Sequence, residues 1–422
     1  MLIQNFEKIA KTPQRRKLLE IIEAGLLSIQ PEENFKKTIK LEGGILTIVD
    51  KTFNLNKFEH TYLIGFGKGS AKNSKLLEDL LGDRLTEGYV IDTEGQDFKK
   101  IEFTKGTHPV ISQQNVDFTQ RVIGKFSNLS EKDLVLVVVC GGGSAMLEHP
   151  HSVSLAQKIE IEKALLKSGA DIFDMNKIRQ HLSDVKGGGL AQILYPATVA
   201  TLIFSDVPGN DIKYIASGPT VKDDTTIDDA LALIQKFNLP NIARESFVDN
   251  PKDDKYFEKV TNIIVLSNLT ALNAMKEKAN EIGLNPRILS DKFEAEASEA
   301  GKKLLEETKP GEVLLAGGET TVHVTGNGTG GRNQEVVLAS LENLNGTLIA
   351  SFDSDGWDNT EFAGAIGDSK TFETAKNLGL NIDEILKSNN SLDFFKQTGD
   401  AIITGRLPSN VSDLFVVCKI QD

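Results

Sequence analysis

The sequence predicts an α/β fold made of two α/β domains. Short apolar runs alternate with stretches whose apolar residues recur at helical spacing, as between Leu18 and Leu26. Residues 134–139 and 198–204 are continuous apolar runs, which are typical of parallel strands buried on both faces. Several of these runs end in glycine or aspartate and lead into a predicted helix. We therefore expect a mostly parallel, Rossmann-like sheet in the N-terminal domain.

Composition narrows the class of protein. The chain has 422 residues and a net charge of −13, from 47 basic and 60 acidic residues. No basic patch stands out, so we expect no nucleic-acid partner. No apolar run approaches the length of a membrane span, and the N-terminus lacks a signal-peptide pattern. Cys140 and Cys418 lie in apolar runs without metal-type spacing, which favours a reducing, cytoplasmic location.

A polar stretch at residues 222–260 separates the two predicted domains. Pro240 and Pro251 interrupt it, and a strand candidate follows at residues 261–267. We place the boundary inside this stretch, which gives domains of residues 1–245 and 246–422. The predicted helices span residues 14–30, 71–81, 115–127, 154–168, 270–282, 294–308, 333–341 and 369–378.

Residues 317–335 form the most distinctive stretch of the chain. A glycine-rich loop, residues 326–331, runs from a strand candidate into the start of a helix at Arg332. Glycine allows close approach of a ligand, free N–H groups at a helix start attract anions, and arginine offers a planar fork of donors. The alternative is a flexible surface hairpin. We predict an anion site that uses Arg332 with Gly328, Gly330 and Gly331.

Two further corners in the N-terminal half lead from a strand through glycines to a helix. The first, residues 65–71, contains Lys68 between two glycines, although it is not a Walker A sequence. The second, residues 140–145, nearly matches a serine nucleophile elbow, but Met146 stands where the last glycine belongs. Ser144 is therefore expected to bind an anion or cap the helix. A solvated loop remains the alternative for Lys68.

Charged residues cluster at two other kinds of position. Arg179 and Lys186 concentrate positive charge, and a helix would put them roughly on one face. Asp206 follows a buried strand, and Asp355 follows another, where carboxylates suit a magnesium ion or a base. A solvated helix face and turn-capping carboxylates are the respective alternatives.

Taken together and in order, these motifs resemble the class II glycerate 2-kinase family, whose C-terminal part is a MOFRL-type domain. The matching segments are residues 65–71, 106–110, 140–145, 176–191, 205–211, 216–220, 317–335, 354–356 and 363–365. The chain departs from the family pattern at residues 357–359, Trp-Asp-Asn, and at residues 404–411, which include Arg406. Both departures bear on the acceptor rather than on phosphoryl transfer.

The resemblance implies ATP-dependent phosphorylation of D-glycerate at its 2-hydroxyl, with Mg²⁺, in a cleft between two α/β domains, the second with a smaller mixed sheet. It leaves room for a homodimer and implies no nucleic-acid or membrane partner. Lys68, Arg332 and Asp206 would be catalytic. Gly67, Gly69, Ser70, Gly142, Gly143, Ser144, Gly328, Gly330 and Gly331 would bind the nucleotide phosphates. Arg179, Lys186 and Asn333 would bind glycerate, and Asp206, Glu319 and Asp355 would hold the metal. A hydroxypyruvate reductase, a kinase of another small 2-hydroxy acid and a non-catalytic anion-binding protein are the alternatives.

Overall fold

The structure is a computed structural model that describes residues 1–419, and its chain divides into two compact units. The N-terminal unit comprises Phe35–Ser205 and Asn210–Val265. The C-terminal unit comprises Met1–Asn34, Asp206–Gly209 and the chain from Leu266 onward. Each unit contains a six-stranded sheet with helices packed on it. The predicted α/β class is therefore confirmed.

The sheet of the N-terminal unit has the strand order of a doubly wound fold. Taken across the sheet, the strands are Ile101–Lys105, Glu87–Asp92, His60–Phe66, Asp133–Val139, Thr198–Phe204 and Val260–Leu266. Numbered along the chain within this sheet, that order is 3-2-1-4-5-6, and the registered pairs are parallel. The helices are Ser70–Leu81, Gln113–Lys125, Gly143–Met146, Leu155–Lys167, Ile172–His181, Gly189–Leu194 and Ile227–Lys236, and Pro31–Thr38 enters this unit. A small antiparallel sheet joins Ile39–Glu42, Ile45–Ile48 and Lys51–Asn54. The Rossmann-like prediction is confirmed.

The order of strands reverses between His60–Phe66 and Asp133–Val139, which lie side by side. Ligands of doubly wound folds bind at this switch point, beyond the carboxyl ends of the strands. Two of the predicted glycine corners follow these two strands. The fold therefore brings together sequence segments that are far apart in the chain.

The C-terminal unit has a mixed sheet, as the family resemblance implied. Across it, the strands are Asn285–Glu296, Glu312–Thr321, Asp413–Lys419, Thr347–Asp353, Gly364–Gly367 and Ala401–Ile402. The first pair is parallel and the others are antiparallel. The helices are Phe6–Ile9, Pro13–Ser28, Asn268–Glu281, Ala297–Glu307, Arg332–Ser340, Ser369–Asn377, Ile382–Lys387 and Ser391–Thr398. The sheet is not smaller than the N-terminal one in strand number.

The partition into units differs from the predicted division at residue 245 in two places. The N-terminal segment packs in the C-terminal unit, where Arg15 is buried in ion pairs with Asp368 and Asp400 at 2.6 and 2.5 Å. A Cβ on Gly25 would lie 2.6 Å from Met275, so two helices approach closely there. The strand Val260–Leu266, predicted to start the second domain, instead completes the first sheet. An apolar run does not reveal which sheet it joins, because that depends on long-range pairing.

Residues 1–419 contain no helix that is long and apolar enough to cross a membrane.

Candidate active site

In the first glycine corner of the N-terminal unit, residues 65–71, a carboxylate of the protein itself accepts hydrogen bonds from the backbone. Asp92, at the end of the neighbouring strand, accepts hydrogen bonds from the N–H groups of Gly69 at 2.9 Å and Ala71 at 3.0 Å. The N–H of Ser70 binds the carbonyl of Gly67. Asp92 thus occupies the helix N-terminus, where an anion is favoured. Contrary to the prediction, the N–H groups of Gly69 and Ser70 are not free to bind a phosphate, whereas the N–H of Gly67 makes no hydrogen bond within residues 1–419.

Gly67 serves instead to join the two glycine corners. Its φ of 103° lies in the region that favours glycine, and a Cβ would lie 2.3 Å from the carbonyl oxygen of Cys140. The N–H of Lys68 donates to Gly141 at 2.8 Å across the same junction. The exposed Lys68 side chain is therefore anchored through its backbone directly beside the second corner.

The second glycine corner retains open donors. Within residues 1–419 the N–H groups of Gly142 and Ser144 make no hydrogen bond, whereas that of Gly143 binds Cys140. Gly142 and Ser144 also line the wall of a cavity. Free backbone N–H groups at a turn that opens a helix favour an anion. This corner therefore presents two open donors to a phosphate or a carboxylate, whereas within residues 67–71 of the first corner only the N–H of Gly67 is open.

The cavity has a volume of about 260 Å³. It is lined by His108, Pro109, Val110, Ile111, Gly142, Ser144, Ala145, Ile159, Glu162, Lys163, Leu166 and Arg179. Burial and the positive charge of Lys68 lower the pKa of His108, which favours its neutral form near neutral pH. The predicted site did not include His108, because a lone histidine before a proline carries no chemical signature in the sequence.

A chain of side-chain hydrogen bonds holds Ser144 of the second glycine corner. The hydroxyls of Ser144 and Ser217 lie 3.1 Å apart, and Ser217 donates to the side-chain oxygen of Asn176 at 2.7 Å. Ala216 and Ser217 both adopt positive φ, at 51° and 63°, which costs free energy for residues with a Cβ. Such strain marks places where the surroundings fix the backbone. In the sequence analysis, residues 216–220 contributed only to the family resemblance.

The sequence predicted that Arg179 and Lys186 share a helix face, and this prediction is wrong. The helix Ile172–His181 ends before Lys186. Arg179 reaches the cavity wall, where its Nε and Nη2 atoms both lie 2.9 Å from the carboxylate of Glu162. Arg179 is thus placed near a ligand, but with an internal partner.

Lys186 is buried and supports the second corner from within the protein. Its ammonium donates to the carbonyls of Ser144 at 2.8 Å and Leu147 at 3.0 Å, and to Glu148 at 2.8 Å. Burial lowers the pKa of Lys186, although Glu148 opposes this. Burial acts to raise the pKa of Glu148, but the lysines Lys158 and Lys186 lower it overall. This placement gives Lys186 a structural role and does not support direct contact with glycerate.

In the C-terminal unit, an internal carboxylate also occupies the N-terminus of the helix that follows the long glycine-rich loop. Asp358 accepts hydrogen bonds from the N–H groups of Asn333 at 3.1 Å and Gln334 at 2.9 Å. A Cβ on Gly331 would lie 2.0 Å from the carbonyl oxygen of Asp358. Burial raises the pKa of Asp358, while these hydrogen bonds oppose the shift. The predicted anion at this helix start is therefore supplied by the protein.

The glycines of that loop allow close packing on the protein's own chain. The N–H of Gly328 donates to the carbonyl of Ser388 at 2.8 Å. Added Cβ atoms on Gly326 and Gly330 would lie 2.3 Å from Ser388 and 2.1 Å from Ser391. The expectation that Gly328, Gly330 and Gly331 cradle a phosphate was based on glycine content, and this packing explains the glycines without a ligand.

Arg332 lies among three carboxylates rather than on a free loop. Its guanidinium contacts Glu319 at 2.5 Å, Asp413 at 3.0 Å and Asp353 at 3.5 Å. Burial would lower the pKa of Arg332, but these carboxylates raise it further above its ordinary value. Burial raises the pKa of Asp413 to about 6 despite the nearby arginine. Even with one proton on the cluster, negative charge exceeds positive charge.

Asn333 lies beneath this acidic cluster and is fully buried. Its amide donates to Asp413 at 2.7 Å, and its side-chain oxygen accepts from Ser351. These contacts orient Asp413 and do not present Asn333 to a ligand. The structure therefore gives Asn333 a supporting position instead of the predicted substrate contact.

The predicted metal ligands are not gathered into one cluster. Asp355 accepts a hydrogen bond from the N–H of Trp357 at 2.8 Å, and the carbonyl of Asp206 accepts from Ser412 at 2.6 Å. Glu319 is half exposed beside Arg332. Residues 1–419 contain no group of three histidine, cysteine, aspartate or glutamate side chains arranged to hold a metal ion.

The two departures from the family pattern meet in the structure. The guanidinium of Arg406 stacks on the ring of Trp357, 4.0 Å from its centroid. The N–H of Leu407 donates to the carbonyl of Asp355 at 2.7 Å, so both segments are tied to the same strand end. Sequence reasoning identified each departure separately and could not pair them.

Comparisons with known proteins agree with this architecture. Residues 17–248 match a family model described as a domain of unknown function, DUF4147, and residues 312–413 match the MOFRL family. A D-glycerate 2-kinase of Thermotoga maritima is 34% identical, with 94% of this chain and 96% of the relative covered. An Agrobacterium vitis protein with a provisional hydroxypyruvate reductase name is 36% identical, with 83% and 97% covered.

The fold comparison gives the same result. The crystal structure of a glycerate kinase from Thermotoga maritima matches with a TM-score of 0.83 and 31% identity, over 96% of this chain and 100% of that chain. The chain therefore belongs to the glycerate 2-kinase family, with a DUF4147 N-terminal domain and a MOFRL C-terminal domain.

Proposed function

We propose that this protein transfers the γ-phosphoryl group of ATP to the 2-hydroxyl of D-glycerate and releases 2-phosphoglycerate. The observation that carries the proposal is the open anion site formed by the N–H groups of Gly142 and Ser144 at the switch point, beside Lys68. The Thermotoga maritima relative is named for this reaction. Phosphoryl transfer depends mainly on positioning and charge neutralisation, which such a site supplies.

In this proposal Lys68 and Arg332 each neutralise charge on the transferred phosphoryl group. The Lys68 side chain is exposed, so a ligand can reach it. Arg332 has to exchange part of its contact with Glu319 for contact with the phosphoryl oxygens. The 2-hydroxyl oxygen of glycerate bonds to the γ-phosphorus as the bond from that phosphorus to the β,γ-bridging oxygen breaks and ADP leaves. The hydroxyl gives up its proton to a carboxylate, and Asp206 is the proposed proton acceptor.

Magnesium is part of this proposal, although its ligands are not preassembled and only Glu319 among them belongs to the acidic cluster around Arg332. Protein sites for this ion commonly supply one or two carboxylates and leave the other positions to phosphate and water. Asp206, Glu319 and Asp355 are the proposed ligands. The bound ion would neutralise charge on the phosphates. Glu319 and Asp355 are partly exposed, so an ion bound to them would still be open to phosphate and water. The proposal therefore does not depend on a closed site with three protein ligands.

A hydroxypyruvate reductase is the second candidate, because of the Agrobacterium vitis relative. A reductase of this fold would use an acidic residue at the end of the second strand to bind the ribose of its dinucleotide. Asp92 is the residue at that position, but its carboxylate is turned toward the N–H groups of Gly69 and Ala71. The occupied carboxylate favours the kinase.

Two assays test the proposal. Purified protein should release ADP only when D-glycerate and Mg²⁺ are both present. Enolase added without phosphoglycerate mutase should convert the product to phosphoenolpyruvate, since enolase acts on 2-phosphoglycerate and not on the 3-isomer. ADP release that ignores D-glycerate across a panel of sugar acids, together with NADH consumption on hydroxypyruvate, would establish the reductase instead.

A further inference from the structure

The cavity beside Gly142 and Ser144 has a mostly apolar wall. Pro109, Val110 and Ile111 form one part of it, and Ile159 and Leu166 of the helix Leu155–Lys167 form another. Val110 and Leu166 remain 53% and 69% exposed, so large apolar surfaces face water at the rim. Covering such surface with an apolar ligand is favourable.

The acceptor does not match this wall. Every carbon of D-glycerate carries oxygen, so the molecule has no face that gains from apolar contact. Burying its hydroxyls against Ile159 and Leu166 would cost free energy, because apolar side chains cannot return the hydrogen bonds lost to water. The adenine ring of the phosphoryl donor is flat, largely apolar on both faces and polar only at its edge.

The polar end of the cavity matches the rest of the nucleotide. Gly142 and Ser144 line the cavity and carry open N–H groups, while the charge of Lys68 reaches His108 on the same wall. Phosphates placed there would lead away from the apolar part of the cavity, whose total volume of about 260 Å³ has room for a base-sized group.

We infer that this cavity binds the adenine ring of ATP, with Val110, Ile159 and Leu166 contacting the ring and the phosphates leaving past Gly142 and Ser144. The inference rests on the proposed function, because it takes ATP as the donor. It also reassigns Arg179, which lines the same cavity in its pair with Glu162, from the glycerate carboxylate to the nucleotide.

The test uses the full chain, titrates ADP by calorimetry and measures KM for D-glycerate and for ATP alongside. Leu166→Glu places a charge against the ring, and we expect it to weaken ADP binding about tenfold while KM for D-glycerate changes less than about twofold. Ala145→Leu narrows the cavity by a different route and should have the same pattern. Leu378→Glu is the matched control, since Leu378 is also exposed, at 50%, and lies in the C-terminal unit.

The outcomes separate this inference from the proposed function. Unchanged ADP affinity in folded Leu166→Glu and Ala145→Leu proteins would overturn the inference. A raised KM for D-glycerate with unchanged KM for ATP would also overturn it and would return the cavity to the acceptor. If wild-type protein binds ADP, and the two variants weaken that binding, but D-glycerate is not phosphorylated, the base site stands and the proposed acceptor fails.

Discussion

Replacing Lys186 with methionine distinguishes a structural lysine from a substrate-binding one. Methionine keeps most of the apolar stem and removes the ammonium group. In the structure that group makes three short contacts, with the carbonyls of Ser144 and Leu147 and with Glu148. The change would leave the two carbonyls without this donor and Glu148 with one lysine fewer in the interior.

The expected cost follows from those contacts. Breaking a buried ion pair by removing one partner typically costs about 3 to 5 kcal/mol, because the other charge stays buried. Lys158 remains 3.5 Å from Glu148 and retains part of the compensation. We therefore expect Lys186→Met to lower the free energy of unfolding by about 3 kcal/mol, the lower end of that range.

Urea unfolding followed by circular dichroism measures this change. Lys177→Met is the matched control, since Lys177 is partly exposed in an ion pair with Asp174 and should lose less than about 1 kcal/mol. Adding Glu148→Gln to Lys186→Met should recover part of the loss by neutralising the unpaired carboxylate. Unchanged stability in Lys186→Met, with KM for D-glycerate raised tenfold or more, would refute the structural role and restore the substrate contact (about 1.4 kcal/mol per tenfold).

Three further predictions concern the charged groups. Burial raises the pKa of Asp413 to about 6, so the native state binds the proton of this carboxyl more tightly than the unfolded chain does. The free energy of unfolding should therefore lose the contribution of Asp413 as pH rises from about 4 to 6. Asp413→Asn should lack that decline, and urea unfolding of both proteins across this pH window checks it. Lys68→Met and Arg332→Met should each lower kcat at least about 100-fold, with a double variant that loses less than the product. Arg332→Met should also destabilise the protein, because it leaves the buried Asp413 without its cationic partner; near-normal turnover in either single variant would contradict the mechanism. Asp206→Asn or Asp355→Asn should raise the magnesium concentration needed for half-maximal rate, and unchanged titrations for both would assign them to turn capping.

The sequence by itself determined the local elements, because their signals are local. The continuous apolar run predicted at residues 198–204 is the strand Thr198–Phe204, and the helix predicted at residues 333–341 is Arg332–Ser340. The ordered motifs also determined the family. What these signals share is that each depends on side-chain periodicity or on residue types within a few positions of one another.

The tertiary structure decided which donors and charges are available. Asp92 lies 23 residues from Gly69, and Asp358 lies 24 from Gln334, yet each carboxylate occupies the helix start that the glycines had suggested for a phosphate. Lys186 is buried against Glu148, 38 residues away. A glycine corner has the same sequence whether its N–H groups face a ligand or an internal carboxylate. Only the long-range packing that brings a second segment to the corner determines which of the two it binds.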